Sequence, residues 1–174
     1  MKLINEVLKK DSVYASLLNE VERGRLPIVC TGLSLIHKAI IAASLRGHTG
    51  KRVVLITHDE ATAAELCGDI NALGLKCLNF PARDLCIGDL SGYSKEYEHK
   101  RIDTLSAVAD GAFDLLTISL DAAVQYTVKP EMLKGSRFTL KTGDSADTSE
   151  LAEKLINAGY TRSQLCEGSG QFSV

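Results

Sequence analysis

Tryptophan is absent from the 174 residues, prolines number three, and aromatic side chains make up only 5%. So few flat side chains leave little on which single-stranded bases could stack. An excess of one charge is missing too. Twenty Lys and Arg stand against 22 Asp and Glu, a formal net charge of -2, so no global field draws the chain to nucleic acid, although a local basic face is compatible with that balance. No run reaches the roughly 18 apolar residues of a membrane-crossing helix. The first ten residues, Met1 to Lys10, mix apolar and charged positions as an amphipathic helix does, without the apolar centre of a secretion signal. The five cysteines, at 30, 67, 77, 86 and 166, include no Cys-x-x-Cys pair, and none stands at metal-ligand spacing from a histidine. They read as small hydrophobes in a reducing compartment. These absences point to a cytoplasmic chain with no membrane partner and no metal site.

What is present is enough for a folded core, since 45% of the residues are hydrophobic. The length suits one domain and part of a second. Residues 2 to about 23 read as one or two helices, with Leu3, Val7, Leu8, Leu17, Leu18 and Val21 sharing an apolar face, and Gly24 ends the run. Strand and helix patterns then alternate: strand 27–31, helix 33–46, strand 52–57, helix 59–73, strand 76–80, helix 94–109, strand 114–119. Strand 52–57, Arg-Val-Val-Leu-Ile-Thr, is continuously apolar, as expected when helices cover both faces of a parallel sheet. Asp59 is placed to cap the helix that follows, and Gly74 to end it. The fold class is therefore α/β, a parallel sheet with helices on both faces.

From Lys129-Pro130 the pattern changes to α+β: a short strand at 136–141, a turn at Thr142-Gly-Asp, a helix at 148–158, a strand at 160–166 and a Gly168-Ser-Gly170 turn leading into a strand at Gln171. Residues 1–128 are thus expected to form one domain and 129–174 part of a small second one. A hairpin with only Gln171 to Val174 of its second strand reads as truncated.

The stretch Leu26-Pro-Ile-Val-Cys-Thr-Gly-Leu-Ser-Leu-Ile-His-Lys-Ala39 has the strand, tight turn and helix of a phosphate-binding loop. Such a loop, G-x-x-x-x-G-K-[ST], needs glycines for backbone approach, a Lys for the terminal phosphates and a hydroxyl for magnesium. With Gly32 as the first glycine, Lys38 falls on the lysine, but His37 replaces the second glycine and Ala39 the hydroxyl. With Thr31-Gly32 as the inner Thr-Gly of a helicase-type loop, Ser34 replaces the second glycine, Leu35 the lysine and Ile36 the hydroxyl. Neither register supplies the full set, so an ordinary strand-to-helix turn explains the segment more simply than tight nucleotide binding. Elsewhere, His37, His48, His58 and His99 lie in four different elements, none beside a Ser or Cys in a nucleophile elbow. The charged run Lys95 to Arg101 reads as a solvated helix face rather than a phosphate grip. No catalytic constellation emerges.

Several segments, in order, resemble one family. Residues 52–66, ending Ala-Thr-Ala-Ala-Glu-Leu, resemble the second strand and helix of the UvrB-like helicase module. Phe80-Pro-Ala-Arg-Asp84 is similar to the Phe-Pro-Ala segment of the transcription-repair coupling factors. Gly159-Tyr-Thr-Arg162 and Gly170-Gln-Phe-Ser-Val174 resemble the Gly-Tyr-x-Arg and Gly-x-Phe-x-x-Arg-Gly-Gly signature that those factors share with UvrB. Only Leu85 to Tyr93 separates Phe-Pro-Ala-Arg-Asp from the next helix, too little for the long hairpin with which UvrB holds DNA, so the coupling factors are the better match.

The resemblance implies a P-loop-NTPase-like, helicase-like α/β domain followed by part of the small domain that docks UvrA. It implies a degenerate nucleotide loop at Thr31, Gly32, Ser34, Leu35, Ile36 and Lys38, and no cofactor for this chain. The family's ATP-driven and magnesium-dependent motor, with its contacts to RNA polymerase and DNA, would lie in other domains. Of three signature arginines that contact UvrA, Arg162 matches the first, Ser173 stands at the second, and the third position lies past Val174. Phe172 belongs to the same signature, while Glu167 is a candidate rim contact. The implied function is a non-catalytic interaction module that couples removal of stalled polymerase to excision repair by recruiting UvrA. The alternative is a nucleotide-dependent enzyme using Lys38, with Asp59 or Asp84 on magnesium. A DNA-binding module is disfavoured by the charge balance and the scarce aromatics.

Overall fold

The computed structural model describes residues 1–83, 96–168 and 170–174, the side chains of Glu96 and Tyr97 excepted. Helices α1 (Lys2–Lys10) and α2 (Ser12–Glu22) lead to α3 (Leu35–Thr49), followed by β1 (Val53–Thr57), α4 (Glu60–Ala72), β2 (Cys77–Phe80), α5 (Glu96–Ala109), β3 (Leu115–Ser119) and the short α6 (Leu120–Ala123). The three strands form a parallel sheet in the order β1-β3-β2, with Val53 to Thr57 beside Leu115 to Ser119, and Cys77 to Phe80 beside Leu115 to Ile118. The expected α/β class is observed, with crossover helices linking parallel strands.

Strand alternation sends Leu115 and Cys77 to one face, where they pack with Ala39 and Ala42 of α3 and with Leu66 and Ile70 of α4. On the other face Ile118 and Phe80 meet Ala122, with Leu105 of α5 against them. Helices thus lie on both faces, but not over all of the second. Val54 is 53% exposed and Ile56 63%, so the β1 end of that face is bare. This corrects the inference that the continuous apolar run 52–57 is covered on both sides, because among the described residues no helix lies over the run's outward pair.

Local chemistry sets the element ends. Asp59 accepts the Thr62 N–H at 2.6 Å and caps α4 as expected; beyond α4, Leu73 and then Gly74, at φ +83, end the helix. At the other end of the sheet, Asp114 accepts from Arg46 Nη2 at 2.9 Å and from the Lys76 N–H at 3.0 Å, tying α3 to the entries of β2 and β3. Buried Tyr14 of α2 shares a 2.8 Å hydrogen bond with His48 Nδ1 of α3, which anchors the N-terminal helices to the α/β layer.

Three expected elements differ. Residues 27–31 form neither helix nor strand and pair with no strand among the described residues, and 136–141 is likewise not a strand. The strand expected at 160–166 contracts to β4 (Thr161–Arg162), which pairs with β5 (Gln171–Phe172) in parallel and not as a hairpin. The loop between them is fastened by Glu167 N–H donating to Gln171 Oε1 at 2.9 Å and by Ser173 Oγ–H donating to the Gln164 carbonyl at 3.2 Å, and it returns the chain to the start of its partner strand. Pro130 opens a helix, α7 (Pro130–Gly135), since a missing N–H costs nothing at the first helical position. Helix α8 (Thr148–Asn157) follows, capped by Asp147.

Two predictions concern this core. Leu115 is fully buried in the central strand, so Leu115→Ala should lower unfolding free energy by about 2–5 kcal/mol in chemical denaturation. Burial, reinforced by the charge of Lys9 and opposed by Glu22, holds His48 below the ordinary imidazole value. The unfolded chain then takes up a proton that the folded chain resists, so stability should fall as pH drops below about 6.5 toward the lower folded value. His48→Gln should flatten this acid limb in a stability titration, and an unchanged slope would assign it to another group.

Candidate functional site

The loop before α3 is the first candidate. Gly32 adopts φ +74, a turn that favours glycine, and Ser34 is the N-cap residue of α3. The Ser34 hydroxyl caps no backbone N–H and instead meets His37 Nδ1 at 2.9 Å. Leu35, expected at the lysine position in the helicase-type register, packs against the core cluster containing Ala39 and Leu66. Thr31, Gly32, Ser34 and Ile36 are exposed. Lys38 is exposed too, one turn into α3, with its backbone N–H on the Ser34 carbonyl. The structure gathers these residues along one turn and brings no carboxylate to them among the described hydrogen bonds and ion pairs.

The second candidate is the C-terminal edge of the parallel sheet, where α/β layers place their ligands. Asp59 is already engaged there. It caps α4 and stands 2.7 Å from His58 Nε2, and the Thr62 bonds followed by His58 hold its carboxyl below the usual range. Asp84, the alternative magnesium ligand, lies outside the described residues, as does the start of the helix expected at 94. Glu60 accepts from the Ser119 hydroxyl, which in turn caps α6 at Ala122.

Arg101 is the residue that sequence reasoning missed. It was expected on a solvated face, yet it is only 4% exposed. Its guanidinium lies over the Phe80 ring at 4.2 Å, donates to the Pro81 carbonyl, and meets Gln125 Oε1 at 3.1 Å. Gln125 closes the arrangement by accepting the Arg83 N–H at 2.6 Å and donating to the Arg83 carbonyl at 3.2 Å. Burial and the Arg83 charge oppose ionisation of Arg101, while Glu60 and Glu98 favour it. The available signal was positional. Arg101 falls three residues before Thr104 and four before Leu105 on the inward face of α5, and only its charge argued for solvent.

The third candidate is residues 129–174. Among the described residues of this segment, Phe172 alone is a buried hydrophobe, at 8% exposure. Its register partner Arg162 is exposed, with Nη2 donating to the Val174 carbonyl at 3.4 Å, and Glu167 and Ser173 are exposed as well. The structure therefore places Arg162, Glu167 and Ser173 on the surface of the β4–β5 unit, with buried Phe172 beside Arg162 in register. A cavity of about 560 Å³, with His99, Arg137, Tyr126, Tyr160 and Gly170 in its wall, lies between this unit and α5. No cluster of three His, Cys, Asp or Glu suited to a metal occurs among the described residues, and no described helix is long and apolar enough to cross a membrane.

No family model matches the chain. Three curated relatives match its full length: a transcription-repair-coupling factor of Bacillus subtilis strain 168, 25% identical over 177 residues, and those of Staphylococcus aureus strains RF122 / ET3-1 and USA300, each 27% identical over 176 residues. The chain spans about 15% of the length of each. The resemblance carried by Phe80-Pro-Ala and Gly159-Tyr-Thr-Arg thus extends along the entire chain, and the proteins to which it extends are transcription-repair coupling factors.

Proposed function

We propose that this chain is a non-catalytic interaction module of a transcription-repair coupling factor, recruiting UvrA through the surface around Arg162. The observation that carries the reading is the combination of full-length similarity to coupling factors with a loop whose lysine position holds a packed leucine, Leu35. An apolar side chain there can neither supply the charge for terminal phosphates nor leave the core without a packing penalty. Asp59, the described alternative ligand for magnesium, is held by its cap.

In this reading residues 1–128 form the UvrB-like scaffold and residues 129–174 belong to the docking domain. Arg162 is an exposed arginine on a short strand whose register partner is buried Phe172, an arrangement suited to an interface contact, since arginine is enriched at binding hot spots. Glu167 and Ser173 flank it as rim contacts. ATP hydrolysis, DNA and RNA polymerase are contacted through other domains of the parent protein.

The test is equilibrium binding to purified UvrA by this chain, by a chain extended through the whole second domain, and by the extended chain with Arg162→Ala. The substitution should weaken binding by at least about 30-fold if Arg162 is a hot spot worth about 2 kcal/mol; undiminished binding would remove it from the interface. In parallel, ATP with magnesium should produce no thermal stabilisation of the chain, because a ligand of the native state stabilises it as RT ln(1 + [L]/Kd). A nucleotide-induced shift abolished by Lys38→Ala would replace the proposal with the enzyme reading.

A further inference from the structure

Cys67 and Cys77 were read from sequence as unrelated small hydrophobes, but the fold brings them together under one asparagine. Cys67 lies half-buried on α4 and Cys77 is buried at the start of β2. Asn71, one turn beyond Cys67, reaches both. Its Nδ2 is 2.9 Å from the Cys67 carbonyl, 3.4 Å from Cys67 Sγ and 3.1 Å from the Cys77 carbonyl, while its Oδ1 accepts the Cys77 N–H at 3.0 Å. Cys67 Sγ–H donates to the Cys77 carbonyl at 3.4 Å and Cys67 packs against the core cluster that contains Cys77, while Cys77 Sγ–H donates to the Leu78 carbonyl at 3.8 Å. The exposed Cys30 and Cys166 do not share these contacts.

We propose that Cys67 and Cys77 form a hydroperoxide-reactive dithiol site, in which the Cys67 thiolate attacks the peroxide and Cys77 resolves the product into an intramolecular disulfide between α4 and β2. The surroundings divide the roles. The neighbouring Cys77, then Thr117, the Asn71 amide at 3.4 Å and the Lys100 charge draw the Cys67 thiol below its ordinary value against the opposing effect of burial. The neighbouring Cys67 and burial hold Cys77 protonated, with its thiol on the Leu78 carbonyl. Thiolates are the reactive species, and a partly exposed low-pKa thiol next to a resolving one is the arrangement of redox-active cysteines.

The chemistry balances with hydrogen peroxide as the only co-reactant. The Cys67 thiolate attacks one peroxide oxygen. The S–O bond forms as the O–O bond breaks, and the departing hydroxide takes a proton to become water. Sulfur is oxidised by two electrons to the sulfenic acid. The Cys77 sulfur then attacks the Cys67 sulfur, the S–S bond forms, the S–O bond breaks, and the sulfenic hydroxide leaves with the Cys77 proton as a second water.

The test uses the whole 174-residue chain, exposed to hydrogen peroxide near neutral pH, quenched with an alkylating reagent and peptide-mapped. A Cys67–Cys77 linked peptide, lighter by two hydrogens, should appear before Cys30 or Cys166 is oxidised. In Cys77→Ser, dimedone should trap a sulfenic acid on Cys67, and in Cys67→Ser oxidation of Cys77 should slow at least tenfold. The wild-type map stands independently of whether either variant folds. Prior oxidation of Cys30 or Cys166, linkage of either Cys67 or Cys77 to another cysteine, or a sulfenic acid that persists on Cys67 in the wild type would overturn the proposal.

Discussion

The central strand β3 is the constraint on which the rest of the described α/β layer depends. It is paired along both edges, to β1 and to β2, and of its five residues all but Leu116 are buried. A strand so enclosed must satisfy every polar group internally. Thr117 does so by meeting Asn79 Oδ1 at 3.1 Å and the Leu78 carbonyl at 3.4 Å, and Ser119 by reaching Glu60 and capping α6. The polar groups of β3 therefore fix where β2, α4 and α6 sit, while its apolar groups bring α3 and α4 to one face and α5 to the other. Asp114, just ahead of the strand, holds its entry to Arg46 and to the Lys76 backbone.

Away from β3 the coverage thins in a directional way. The β1 side keeps Val54 and Ile56 bare, the segment 27–31 exposes Val29, and residues 129–174 expose Met132, Leu140, Ile156 and Leu165. Free energy of burial scales with the apolar area removed from water, so these segments contribute far less per residue than the β3 layer. The same asymmetry separates the candidate roles. A nucleotide site would need rigid, charged groups at the C-terminal edge of the sheet, and there the described carboxylates Asp59 and Glu60 are engaged in capping and hydrogen bonding. The proposed docking surface would need exposed side chains on a short, anchored element, and its candidate Arg162 is exposed beside buried Phe172.

The α/β alternation was legible because periodicity reports burial, and where burial was strong the reading was accurate. The helix beginning after Asp59 and the strands at 53–57, 77–80 and 115–119 fall within the expected ranges. It was less legible where an element depends on a neighbour. Pro27 to Thr31 has strand composition, but a strand also requires a partner edge, and among the described residues none is beside it. The β4–β5 pairing was misread because Gly168 and Gly170 signal a turn without giving its direction, and a loop held by Gln171, Gln164 and Ser173 returns the chain in parallel. At the loop before α3, spacing named the residues, whereas the packing of Leu35 against Ala39 and Leu66 is visible only in the fold. The burial of Arg101 and the meeting of Cys67 with Cys77 are tertiary facts that no local pattern encodes.

Asn71 illustrates why such facts matter more than motif strength. It lies exposed near the end of α4, yet its amide joins the helix to the first residue of β2 through two backbone contacts, to the Cys77 carbonyl and from the Cys77 N–H, with a third to the Cys67 carbonyl of its own helix. Those contacts restrict how far the helix and the strand can separate, and so hold the two sulfurs in one place. Arg101 acts similarly on the other face, where Gln125 and the Pro81 carbonyl hold α5 to the chain leaving β2. Arg101 enters an apolar layer, where the Phe80 ring, the Pro81 carbonyl and Gln125 Oε1 offset the cost of its burial, while Asn71 fastens α4 to β2 from the exposed side. The specificity of the packing around β3 thus rests on a few satisfied polar residues as well as on the apolar core they interrupt.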